Sequence, residues 1–189
     1  MRVVAGRLRG RPLAGPEHAN LRPTSDRVRE AAFNILTHGA AAVPLEGALV
    51  LDLFAGTGAL GIEALSRGAA FCLFVEDDAA ARALIRRNVE ALGLTGVTRI
   101  WRRDATDLGP AGKHAGATIA FLDPPYGQGL GSRALASLDA GGWLAPDALA
   151  VLEERAGEEP VVPAGFSRID RRTWGDTEMH FLRYRASAD

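Results

Sequence analysis

The chain has 189 residues, 47% of them hydrophobic, and a formal net charge of −1, enough for one sizeable core with an appended segment but not for a second full domain. The near-neutral total by itself predicts no polyanion partner, so charge has to be read by region. One cysteine excludes an internal disulfide, four histidines and that cysteine show no metal-ligand spacing, and no apolar run is long enough to cross a membrane; with no signal-peptide core behind the basic N-terminus, a cytoplasmic protein without a metal is expected.

Charge is concentrated at the start. Residues 1–29 carry seven arginines against Glu17 and Asp26, a local net of +5. Met1 to Leu13 alternates loosely between apolar and arginine residues, with Gly6 and Gly10 breaking the pattern, and reads as a short hairpin with a basic face. A Gly/Pro-rich loop follows to residue 23. Thr24 or Ser25 then caps a helix whose apolar face is Val28, Ala31, Ala32, Ile35 and Leu36, with Arg27, Glu30 and Asn34 on the other side. Residues 1–38 are therefore expected to form a basic, RNA-binding extension in which Arg7, Arg9, Arg11, Arg22, Arg27 and Arg29 meet phosphates, partly through a segment that orders on RNA. A solvated basic tail is the alternative.

From residue 39 to 189 a second unit is expected. Strand signals at Ala48–Phe54, Phe71–Glu76, Val97–Trp101 and Thr118–Asp123 alternate with helix signals at Ala59–Arg67 and Asp78–Leu92. That alternation argues for parallel strands with helical crossovers on both faces. Ser132–Leu138 reads as a short helix, Leu149–Glu154 as a further strand, and Arg168–Thr173 with Met179–Tyr184 as a terminal hairpin, which brings the sheet to seven strands. The fold class is α/β, Rossmann-like and mostly parallel.

The organising stretch is Leu51-Asp52-Leu53-Phe54-Ala55-Gly56-Thr57-Gly58, closed by Gly61. A buried strand that runs into three glycines and a helix is a nucleotide-type site: Gly56 supplies a positive backbone angle, Gly58 lets a ligand approach, and Gly61 lets helix and strand pack closely. Asp52 at the strand tip would repel a pyrophosphate and suit a cation, which favours S-adenosylmethionine over NAD. Glu76 closes the second strand twenty residues beyond Gly56, where an acid meets a ribose. Asp104 follows the third strand, placed to accept from an adenine amine while the Ala105 amide meets the ring. A loop aspartate is its equal alternative.

The fourth strand ends in Asp123-Pro124-Pro125-Tyr126. Proline has no amide to donate, so the turn is held out of any ladder and the Asp123 carboxylate and Pro124 carbonyl can address one donor group. Tyr126 offers a flat face. Two acceptors pulling on an aromatic amine pyramidalise its nitrogen and free the lone pair toward a methyl group, and stacking holds the base in line.

These runs, Asp52 to Gly58 with Phe54, Glu76, Asp104 and Asp123 to Tyr126, resemble the Rossmann-type methyltransferases that modify exocyclic amines. Arg2-Val-Val-Ala-Gly6, Arg9-Gly-Arg11 and Arg22-Pro-Thr-Ser-Asp26-Arg27-Val-Arg29-Glu30 are similar to the bacterial 16S ribosomal RNA guanine-N2 methyltransferases. The resemblance implies S-adenosylmethionine as cofactor, a guanine 2-amino group of 16S RNA in the assembled or assembling 30S subunit as target, and a monomeric enzyme. An adenine-N6 DNA methyltransferase, a dehydrogenase and a non-catalytic RNA-binding module remain open as alternatives.

Overall fold

The computed structural model describes residues 1–16 and 25–185. Seven strands form one sheet in the order β3-β2-β1-β4-β5-β7-β6: β1 (Leu49–Leu53), β2 (Phe71–Val75), β3 (Thr98–Trp101), β4 (Ala117–Leu122), β5 (Leu144–Arg155), β6 (Phe166–Trp174) and β7 (Thr177–Tyr184). The first five are parallel, and the β6/β7 hairpin returns antiparallel to β5, so the sheet is mixed at one edge only. The strand order reverses on either side of β1 and β4. Their carboxyl ends therefore open a crevice, the usual ligand site of such sheets.

Among the described residues four α-helices cover the sheet: α1 (Asp26–His38), α2 (Ala59–Ser66), α3 (Ala79–Ala91) and α4 (Leu130–Ala140). Alternate side chains on each strand face opposite ways. Val50, Cys72, Phe74, Ile119 and Phe121 join α1, α2 and α3 in one core, whereas Leu51, Leu53, Leu73, Ala120 and Leu122 join α4 in the other. Cys72 is fully buried and unpaired with any other cysteine, as its apolar setting in the sequence suggested.

The N-terminal segment shares the first core through Val3, Leu8 and Leu13. Its two arms pair as a small hairpin, with a bridge between Arg2 and Pro12 and a hydrogen bond donated by the Val3 amide to the Arg11 carbonyl at 2.9 Å. Polar groups of the helices hold it down. The Val4 and Ala5 amides donate to the two carboxylate oxygens of Glu63 at 2.8 and 2.9 Å, Leu8 donates to Ser66 Oγ at 3.0 Å, and Ala14 donates to Asn88 Oδ1 at 2.7 Å. The hairpin expected over Met1–Leu13 is thus held on α2 and α3; residues 17–24 lie outside this description.

The face that α1 buries is rotated from the one expected. Arg29, Ala32, Phe33 and Leu36 point inward, while Val28, Ala31 and Ile35 are half-buried. Phe33 packs on Phe121 with ring centroids 5.4 Å apart, and Ser25 caps the helix by accepting from the Val28 amide at 3.2 Å. An aromatic ring buries more area than Ala31 or Val28 would, which decides the rotation.

Candidate active site and cofactor cleft

The turn from β1 to α2 has the expected backbone. Gly56 and Gly58 sit at φ +57° and +78°, and Phe54, with no such freedom, is also held at φ +56°. A bulky residue in that region is strained, and such strain gathers at functional sites. At Gly58 a Cβ would also face Phe74, Ile85 and Ile62 in the core, so backbone angle and packing both call for glycine there. Gly61 acts as foreseen: a Cβ would lie 2.5 Å from Cys72 Sγ.

Asp52 needs a correction. It is 1% exposed; its Oδ2 accepts the Gly61 amide at 2.9 Å, and its Oδ1 has no partner. Burial pushes its carboxyl up to about 8, against the help of the Gly61 amide and with a smaller push from Glu76. At neutral pH the group is therefore mostly protonated. It anchors the start of α2, and the charge argument against a pyrophosphate loses most of its force.

Glu76 lies at the end of β2 with both oxygens engaged: the Gly56 amide donates to one and the Asp78 amide to the other, each at 2.9 Å. Those bonds fix the carboxylate while each oxygen keeps a lone pair for a hydroxyl. Asp104 is exposed and turned on its own loop, with Oδ1 accepting from the Thr106 amide at 2.8 Å and the Thr106 hydroxyl at 2.7 Å, bonds that hold its carboxyl below the usual range. Ala105 is buried beside it.

Two adjoining hollows result. The larger, about 930 Å³ with the open solvent at its mouth included, is bordered by Arg29, Asp52, Phe54, Gly56, Thr57 and Asp123 among others. The smaller is lined by Phe54, Glu76, Arg103, Asp104 and Ala105. Phe54 borders both, so the strained residue stands where the two meet. Every proposed cofactor residue except Gly58 thus lines one of these two spaces.

At the end of β4, Asp123 is half-buried on the larger cleft, Pro124 is buried and Tyr126 is half-buried. Sequence reading missed what holds Tyr126. Its hydroxyl donates to Glu153 Oε1 at 2.7 Å and lies 3.3 Å from Thr177 Oγ1, ties from the parallel and antiparallel parts of the sheet that fix one end of the ring. Burial pushes the phenol well above its ordinary value. Beside it, burial and the neighbouring Glu158 and Glu153 push Glu154 up to about 7.

The arginines divide into three groups. Arg7, Arg9, Arg11 and Arg27 are exposed, and Arg22 lies outside the described residues. Arg29 is fully buried, its Nη2 donating to Asp26 Oδ1 at 2.8 Å and to the Arg2 carbonyl, its Nε 3.6 Å from Glu63 Oε2. An arginine enclosed by α2 and the hairpin does not present itself to RNA phosphates. Among the described residues no group of three or more His, Cys, Asp or Glu side chains is arranged to hold a metal ion, and no helix is long and apolar enough to cross a membrane.

A seven-stranded sheet of this order, with a glycine turn after β1, an acid closing β2 and a proline-fixed Asp-Pro-Pro-Tyr turn after β4, defines a Rossmann-type, S-adenosylmethionine-dependent methyltransferase. Within that class the chain belongs to the family described as "Conserved hypothetical protein 95", which matches residues 1–183. It is 40% identical over its whole length to ribosomal RNA small subunit methyltransferase D of Escherichia coli, covering 92% of that protein. It is 30% identical to the protein of the same name from Buchnera aphidicola, with 90% of this chain and 86% of that one aligned. The solved structure of yhhF from Escherichia coli superposes with a TM-score of 0.83 at 35% identity, covering 99% of both chains.

Proposed function

We propose that the protein transfers a methyl group from S-adenosylmethionine to the exocyclic 2-amino group of a guanine in 16S ribosomal RNA of the small subunit. The observation that carries this reading is the Asp123 to Tyr126 turn on the rim of the cofactor cleft, in a chain whose relatives are named as small-subunit ribosomal RNA methyltransferases. The cofactor supplies an electrophilic methyl on a sulfonium. Glu76 accepts from the ribose hydroxyls, Asp104 and the Ala105 amide hold the adenine, and the Gly56 turn underlies the amino-acid end. Asp123 and the Pro124 carbonyl accept from the target amine, and Tyr126, tied by Glu153 and Thr177, carries the stacked base.

Exposed Arg7, Arg9, Arg11 and Arg27 meet RNA phosphates. Arg7, Arg9 and Arg11 stand on a hairpin already fixed by Glu63, Ser66 and Asn88, so RNA docks on a preformed surface and loses less conformational entropy than a disordered tail would cost. Turnover of an Asp123 series tests the chemistry. Asp123→Ala is expected to cut kcat far more than it weakens either ligand, because the acceptor acts mainly as the nitrogen rehybridises. Asp123→Asn, which still accepts but without charge, falls between. Wild-type turnover in Asp123→Ala refutes the assignment.

A further inference from the structure

The guanidinium of Arg29 is only partly satisfied. Nη2 is engaged by Asp26 and the Arg2 carbonyl, and Nε faces Glu63 beyond hydrogen-bond length, but Nη1 is buried with no partner among the described residues. A buried, uncompensated donor on a charged group is costly, and its persistence asks for a ligand. Arg29 also borders the larger cleft, beside Ala59 and Leu60 at the start of α2. Gly58 at its N-cap has no side chain, and Asp52 takes only the Gly61 amide of its first turn, so Ala59 and Leu60 at its positive end border the same space.

The other charges of the cleft narrow the ligand. Asp78 and Asp123 line it too, beside the buried and mostly protonated Asp52, and Arg29 is the only basic side chain among the described lining residues. A phosphate would meet carboxyl groups on its far side. A zwitterion would not: its carboxylate can face Arg29 and the α2 terminus while its ammonium faces the acids. The amino-acid end of S-adenosylmethionine is such a group, and its carboxylate is the cofactor's only anion.

We propose that Arg29, on the wall of the cleft between α1 and α2, binds the cofactor's carboxylate through Nη1 and so makes the protein selective for the intact amino-acid moiety. Glu63 and Asp26 hold the guanidinium in place from behind. The same Glu63 accepts the Val4 and Ala5 amides, so the N-terminal hairpin and the cofactor's carboxylate share one buried ion cluster.

The test is calorimetric titration of the full chain, without RNA, with S-adenosylmethionine and with its decarboxylated form, which keeps adenosine, sulfonium and ammonium. A charge-assisted bond of the ordinary strength predicts that the wild type prefers the carboxylate-bearing form by about 10- to 150-fold. Arg29→Gln is expected to lose most of that preference by weakening only S-adenosylmethionine. Arg29→Lys keeps a cation beside Glu63, lacks the planar fork, and is expected to retain a reduced preference. Equal binding of the two forms by the wild type overturns the proposal even if neither variant folds. So does an undiminished preference in Arg29→Gln or Arg29→Lys. Because no RNA is present, failure here leaves the guanine assignment untouched.

Discussion

Asp52 gives the protein a pH signature that can be worked out from its surroundings. Its carboxyl is raised by burial to about 8 in the folded chain, against an ordinary value of 3.8. Between those limits the unfolded chain has released the proton and the folded chain keeps it. The folded state thus binds more protons, and stability falls as pH rises through this window, by up to about 1.4 kcal/mol per pH unit for one proton; below pH 4 the contribution is complete, and above pH 8 the loss is finished. Asp52→Asn removes the titration yet keeps an oxygen to accept the Gly61 amide. Urea unfolding of both proteins at pH 5, 6, 7 and 8 is the assay, and the difference between them is the readout because Glu154, raised to about 7, titrates in the same range in both. The variant is expected to gain on the wild type steadily from pH 5 to 8. Parallel curves would show that Asp52 is ionised throughout, and would refute the argument from burial.

Three further outcomes follow from named interactions. Glu63→Ala leaves the Val4 and Ala5 amides without their acceptor and removes the buried carboxylate that faces Arg29; a loss of about 3–5 kcal/mol in denaturant unfolding is expected, with faster amide exchange at Val4 and Ala5. Glu76→Ala removes the acceptor assigned to the ribose and is expected to weaken S-adenosylmethionine by about 10- to 150-fold in calorimetry. Replacing Arg7, Arg9 and Arg11 together by alanine is expected to lower the logarithmic salt slope of RNA binding by about 0.7 for each single-strand phosphate that is no longer neutralised, with cofactor affinity unchanged. An unchanged slope would make the basic hairpin face a solvated surface.

The parallel part of the sheet was legible because β1, β2 and β4 are apolar runs and the crossovers after β1 and β2 have helical spacing. Asp52, Glu76 and Asp123 could be placed at strand ends for the same reason. What periodicity could not show is how distant segments meet. Arg29 looked like one more member of a basic run, and its burial depends on Glu63, a lone acid inside the apolar helix Ala59–Ser66. That isolated acid was the available signal. β5 begins at Leu144, well before the expected Leu149, because its early part passes Pro146 and Asp147, the latter at φ +62°, which hides the strand pattern. The state of Asp52 was misjudged from its residue type, since its proton affinity is set by the 1% exposure that only packing reveals.

The measurement that bears most directly on guanine-N2 transfer is the position of the methyl group. The full-length protein would be incubated with labelled S-adenosylmethionine and small subunits from cells lacking the corresponding methylation, and the RNA digested to nucleosides and mapped by mass spectrometry. The account predicts label in one 16S position, as N2-methylguanosine, and its loss with Asp123→Ala. Label on a ring nitrogen, a ribose oxygen or an adenine amine would contradict it.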